Sequence, residues 1–204
     1  SSIDKSKGES GQFLLTGSAT PVDPKLVKHT GTGRIARLTM RSMSLYESRE
    51  SSGEVSLDAL FGGGDVEGVS LLSVEDVARC ICRGGWPEAV VKEGQDPVRQ
   101  ARDYLDAIVE NDISEASGIK RNATKARALL RSLARRSAQE ASLTTIAQDV
   151  SGDGVAMTEK TVASYINSLR KLFVIENVPA WAPTLRSKTP LRTSPTWHFT
   201  DPSL

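Results

Sequence analysis

Three successive amphipathic stretches, followed by two β-rich runs, constrain the fold of this chain more than any other feature. Lys125 to Arg136 sets Leu129, Leu130 and Leu133 on one side of a helix and basic residues on the other. Ser142 is placed to cap a short helix over residues 143–150. After a glycine turn, Ser151-Gly152-Asp153-Gly154, Thr158 is placed to cap a third helix, with Val162, Tyr165, Ile166, Leu169 and Leu172 on one face. Phe173 to Val178 and Thr196 to Phe199 read as strands, separated by a loop rich in proline and basic residues. Helix, short helix, turn, helix and two strands is the order of a winged helix-turn-helix, here with a longer turn than usual.

Upstream, the signals are sparser. Phe13-Leu14-Leu15-Thr16-Gly17-Ser18 reads as a buried strand entering a loop, and Arg34 to Met40 alternates basic with apolar residues as a second strand with one wet face. Residues 47–70 lack periodicity and read as a loop. Ser73-Val74-Glu75-Asp76 is a weak capping box for a helix that Gly84-Gly85 ends and Trp86-Pro87 forbids from continuing. A further helix starts near Pro97 and runs toward Ser114. Its apolar stripe is Val98, Ala101, Leu105, Ile108 and Val109, with Asp103, Asp106 and Glu110 outside.

The net charge of +1 over 204 residues hides a division. Residues 1–120 carry a balance of −5 and residues 121–204 one of +6, which makes the second part the candidate for nucleic acid. Two solvated surfaces of opposite sign that help the parts dock would give the same figures. No run of 18 apolar residues is present, so no membrane span is expected, and Ser1 to Lys7 lacks the apolar stretch of a secretory signal. With two cysteines, Cys80 and Cys82, and two histidines, His29 and His198, neither a disulfide staple nor a zinc site is expected. The two cysteines read as small buried side chains of a helix, and the location expected is cytoplasmic.

The motifs of catalysis are incomplete. A phosphate loop needs closely spaced backbone N–H groups, and the nearest approach, Gly154-Val155-Ala156-Met157-Thr158-Glu159-Lys160-Thr161, puts a carboxylate where the second glycine belongs. It reads as a helix cap. No apolar run ends in Asp-Glu, and neither histidine has a nucleophile beside it.

One resemblance does emerge. Leu14-Leu15-Thr16-Gly17-Ser18, then Gly33-Arg34, then Met43-Ser44-Leu45-Tyr46-Glu47 resemble the strand and following segments beyond Walker B in prokaryotic AAA-type predicted ATPases. Gly84-Gly85-Trp86-Pro87 resembles that family's GGxP, and Tyr104 with Asp112-Ile113 its Y…DI helix. From about residue 125, Thr161-Val162 with Tyr165-Ile166, Leu172 to Val178 and Phe199-Thr200-Asp201-Pro202 resemble the domain of unknown function behind that core, with Ser203 where glycine is usual.

The resemblance implies a chain that is α/β plus α+β. An incomplete AAA-like remnant would span residues 1–72, a helical lid or linker 73–120, and a winged-helix domain, truncated at its C-terminal end, 121–204. Because the chain begins just before the Leu14-Leu15 strand and stops at Leu204, an internal fragment is expected, either truncated or the product of a decayed gene. Thr16 and Ser18 would be sensor-type groups facing a γ-phosphate, and Arg34 a basic contact to phosphate, whose oxygens a guanidinium fork can bond in pairs. The bland alternatives are a strand-end turn and a surface position. ATP and Mg are implied only for the full-length parent, so this chain is expected neither to bind nor to hydrolyse ATP by itself. The alternative function is a winged-helix module that binds DNA or docks a partner. In it Lys160, Ser164, Asn167, Arg170 and Lys171 face outward from the third helix, with Arg186, Lys188 and Arg192 in the wing loop. A purely structural fragment is the third reading. The strand at Phe13 to Thr16, lacking neighbours, is expected either to pair or swap with a second copy or to be left poorly ordered.

Overall fold

A computed structural model describes residues 13–17, 36, 38–91, 96–179 and 194–204. Among these the fold is mixed, α+β in kind, with eight α-helices and one two-stranded antiparallel sheet. The helices are α1 Leu57–Phe61, α2 Val74–Arg83, α3 Pro87–Val91, α4 Pro97–Ala107, α5 Ile113–Ser117, α6 Ala123–Arg135, α7 Leu143–Gly152 and α8 Glu159–Lys171. A π-helical turn, Ile108–Asp112, joins α4 to α5. The strands are β1 Ile175–Val178 and β2 Thr196–Phe199, in a register that sets Ile175 opposite Phe199 and Val178 opposite Thr196.

Helix starts follow the short polar side chains. Ser73 and Asp76 make a reciprocal capping box on α2, Asn122 accepts the Lys125 N–H at α6, Ser142 the Thr145 N–H at α7, and Thr158 the Thr161 N–H at α8. Each cap satisfies an otherwise orphaned donor and contributes about 1 kcal/mol. Gly118, left-handed at φ 69°, ends α5. After α8 it is Phe173 that takes a left-handed conformation, at φ 56°, to turn the chain into β1. Thr200 ties that turn down: its hydroxyl donates to the Phe173 carbonyl at 2.6 Å and its N–H to the Val174 carbonyl at 3.1 Å.

One buried cluster holds the fold. It draws Ile108, Val109 and Ile113 from the π turn and α5, Leu129 and Leu133 from α6, Ile146 and Val150 from α7, Val162 and Leu169 from α8, and Ile175 and Trp197 from the sheet. It runs unbroken across residue 120. Each such aliphatic side chain contributes about 1.5–3 kcal/mol by leaving water. The Trp197 indole N–H donates to the Ala141 carbonyl at 3.0 Å, and β2 also makes bridges to Ser137 and Glu140, so the α6–α7 connection lies along the strand as a third partner.

Several expectations are corrected. Phe13 to Gly17 forms no strand: Leu14 and Leu15 are 90% and 83% exposed, because no other strand among the described residues offers them hydrogen bonds. Leu38 to Met40 is likewise exposed and unpaired. The stretch read as an unbroken loop contains α1, capped by Ser56. Pro87 does more than stop α2: it opens α3. None of the residues of α2 is buried, so Cys80 is half-buried and Cys82 exposed, since the helix packs on α4 along one edge only. The helix from Pro97 passes through the π turn to Ser117, an irregularity that periodicity does not announce.

A buried hydroxyl supplies a test of this packing. Ser132 is fully buried and donates to Asp149 Oδ2 at 2.5 Å, which, ahead of Arg135 nearby, holds the Asp149 carboxyl below its usual range. A depressed carboxylate contributes stability that is complete above an unfolded value of about 3.9 and drains as pH falls through the folded one. Ser132→Ala is expected to cost about 1 kcal/mol at neutral pH and to flatten the acid limb of the stability curve below about pH 4, measured by urea unfolding at several pH values.

Candidate functional site

Residues 159–171 present three differently engaged sides. Val162, Tyr165, Ile166 and Leu169 enter the core. A second side meets Arg121, whose Nη2 donates to the Ser164 hydroxyl at 2.9 Å, the Ser164 carbonyl at 3.4 Å and the Ser168 hydroxyl at 3.2 Å. The same guanidinium lies 4.7 Å from the centre of the Tyr165 ring, and the Tyr165 hydroxyl accepts the Asn122 N–H at 2.9 Å. Charge attraction to the ring face and three hydrogen bonds therefore fix the roll of α8 about its axis.

The third side is open. Lys160, Asn167 and Arg170 are exposed, with Lys171 half-buried beside them. None of the three cations has a carboxylate partner among the described residues. The two acids nearest the start of α8 are engaged elsewhere: Glu159 accepts from the Thr144 hydroxyl at 2.8 Å, and Asp153 pairs with Arg135 at 2.9 Å. Asp153 is neutralised by Arg135, and the one remaining charge, that of Glu159, leaves three cations with a positive balance. Ser164, half-buried, is engaged by Arg121 and is not left open as the others are. Arg121 itself was not singled out in the sequence, where nothing in its neighbourhood marks it.

Thr16 lies on the exposed Phe13–Gly17 segment and touches none of these groups. Ser18, Arg34, Arg186, Lys188 and Arg192 lie outside the described residues. The near-miss at Gly154 is a turn, with φ 81° at that glycine, followed by the Thr158 cap. Among the described residues no group of three or more His, Cys, Asp or Glu side chains is gathered to hold a metal ion. No helix among them is long and apolar enough to cross a membrane.

A second constellation joins motifs 116 residues apart. Asp201, 1% exposed, accepts the Gly85 N–H on Oδ2 at 2.8 Å. Its Oδ1 accepts the Ser203 N–H at 2.9 Å and the Ser203 hydroxyl at 2.6 Å, and that hydroxyl accepts the Trp86 indole N–H at 3.0 Å. The Trp86 and Tyr104 rings meet at 4.4 Å, and burial, with the charges of Asp112 and Asp201, raises the Tyr104 hydroxyl pKa. On the other side the Gly85 carbonyl accepts the Met43 N–H at 2.6 Å, and Arg83 donates to Glu50 at 2.5 Å, which holds the Glu50 carboxyl below its usual range. Both glycines are required. Gly84 stands at φ 69°, ψ −171°, and a Cβ there would lie 2.1 Å from Asp201 Oδ1; one on Gly85 would lie 2.1 Å from the Met43 carbonyl oxygen. Gly84→Ala is expected to cost at least about 2 kcal/mol, and Asp201→Ala about 1–3 kcal/mol, measured by equilibrium urea unfolding. The double variant should cost less than the sum, because both changes open the same node.

Against known proteins, a family model described as a domain of unknown function (DUF8612) matches residues 74–204. Neither a curated protein nor a solved structure matches the chain.

Proposed function

Since the chain belongs to the DUF8612 family, whose description assigns no activity, its role must be read from its own geometry, and we propose that residues 121–204 act as a winged-helix module that binds duplex DNA through α8. The observation that carries this reading is the open basic side of α8, with three cations unpaired among the described residues around one exposed carboxamide. Its frame suits the task. Three helices precede an antiparallel pair of strands, and the α6–α7 connection bridges to β2 as a short extra strand. Lys160 and Lys171 stand ~16 Å apart along the helix axis, slightly more than the ~12 Å width of a major groove, so cations at the two ends can meet phosphates on both of its walls. Arg186, Lys188 and Arg192, in the sequence between β1 and β2, would add backbone contacts to the phosphates.

Binding of this kind rests on phosphate neutralisation and falls steeply with salt, with a log–log slope near −0.9 per contact. Changing Arg170 and Lys171 together to Ala is expected to flatten the slope by about 2 while leaving the fold intact, read by fluorescence anisotropy on a random-sequence duplex across a salt series. A response at 150 mM salt no different from buffer, for any duplex, overturns the DNA reading and favours docking of an acidic protein partner on the same face.

A second reading has its own observation in support. Gly84-Gly85 and Asp201, two of the elements in which the chain resembles AAA-type predicted ATPases, are in direct contact, as parts of one inherited pattern would be. On this reading the chain is part of such an ATPase, and Thr16, Ser18 and Arg34 serve nucleotide sensing only in the company of a phosphate loop and a magnesium site. The exposed Phe13-Leu14-Leu15 segment would pair with a second copy. The isolated chain is then expected to show no heat of Mg-ATP binding by titration calorimetry; micromolar affinity would overturn that expectation, and with it the reading of the Gly154 turn as a helix cap alone.

A further inference from the structure

Along the open side of α8, one exposed side chain alone is polar without carrying charge. Lys160, Arg170 and Lys171 are cations, Ala163 presents a half-buried methyl group, and Asn167 an exposed carboxamide. The remaining neutral polar side chains of the helix are engaged. Thr161 Oγ1 lies 2.9 Å from Thr158 Oγ1, Ser164 and Ser168 accept from Arg121, and the Tyr165 hydroxyl accepts the Asn122 N–H. Asn167 has no such partner among the described residues.

Its place on the helix matters as much as its freedom. It follows Lys160 by seven residues and precedes Arg170 and Lys171 by three and four. At 1.5 Å per residue that puts it ~10 Å from the first cation and ~5 Å from the others, on the same side of the helix. With the cations on phosphates, the group between them faces the floor of the groove. We infer that Asn167 is the residue that selects sequence, and that it selects adenine, an inference that rests on the DNA-binding reading of α8. A carboxamide offers one donor and one acceptor side by side, which match adenine N7 and N6–H₂ in the major groove; guanine presents two acceptors there and rejects one half of the pair. Ala163, one turn earlier, sets its methyl group where a thymine methyl can pack. Arg121 is the positioning residue behind this, since its bonds to Ser164 and Ser168 keep Asn167 turned outward.

The experiment is selection of duplexes from a random pool by the full chain, followed by anisotropy on the selected duplex and its single-base variants. The protein is compared with Asn167→Ala and Asn167→Gln. Alanine is a better helix former than asparagine at this exposed position, so the fold is retained, which circular dichroism verifies. The expected result is a short selected site with one position fixed as A·T, where substitution costs the parent chain between about 5- and 150-fold in affinity. Asn167→Ala should lose that preference at the one position and keep both the affinity for unrelated duplex and its salt slope, because a neutral side chain neutralises no phosphate. Asn167→Gln, with the same carboxamide on a longer stem, should retain part of the preference. A selected site that Asn167→Ala leaves unchanged overturns the inference while leaving DNA binding in place, and so does a loss of preference at a G·C position. Absence of duplex binding by the parent chain overturns the underlying reading and the inference together.

Discussion

A buried carboxylate organises the part of this protein that the helix caps do not. Taking the charge of Asp201 out of water is expensive unless donors replace the lost solvation, and here three do: the Gly85 N–H, the Ser203 N–H and the Ser203 hydroxyl. Meeting that demand draws three separate stretches together. The turn after α2 must bring its backbone close enough to donate, which only glycines at 84 and 85 permit. The Met43 segment then pairs with the opposite edge of the same turn, and Trp86 reaches the Ser203 hydroxyl and packs, tilted by 51°, against Tyr104. Segments with little apolar material of their own are thereby held against a core that they scarcely enter.

Much of the C-terminal part was legible in the sequence because its signals are local. Ser142 and Thr158 cap helices where they stand, and Leu129, Leu133, Val162 and Leu169 repeat at helical spacing and are buried. Two strands of four residues lie where β-rich runs predict them. What stayed hidden depends on partners far along the chain. Arg121 shows its role only beside Ser164 and Ser168, which are 43 and 47 residues away. The Phe13-Leu14-Leu15 run misled for the same reason: apolar content suggests a buried strand, yet burial needs a neighbour, and the described residues supply none. Within α2 the apolar positions repeat properly and yet Val77 and Ile81 stay exposed and Cys80 only half-buried, since periodicity says which residues share a side and not whether anything covers that side.

Helix α8 shows how one short element is divided among incompatible duties. Thirteen residues supply a core stripe, a polar side bound to Arg121 and an open basic side. The division assigns similar residues opposite fates. Ser164 and Asn167 are both polar and nearly one turn apart, but the first is bonded by the guanidinium and the second is left exposed. Asp153 is neutralised by Arg135, while Glu159, bonded to the Thr144 hydroxyl, keeps its charge beside Lys160 and offsets one of the three cations at most.

The placement of β2 carries a consequence for how the molecule is made. This strand supplies the indole that closes the core over Ala141, the partner of β1 and the bridges to Ser137 and Glu140, and Asp201 follows it by two residues. During synthesis α2, α3 and α4 leave the ribosome early, while the carboxylate that fixes the Gly84-Gly85 turn is made more than a hundred residues later. Closing so long a loop costs conformational entropy that local helix formation cannot repay in advance. The glycine turn must therefore wait, with its backbone donors open to whatever the cell presents, until Asp201 is made. The chain is most exposed to chaperones and proteases in that interval, and the arrival of Asp201 ends it.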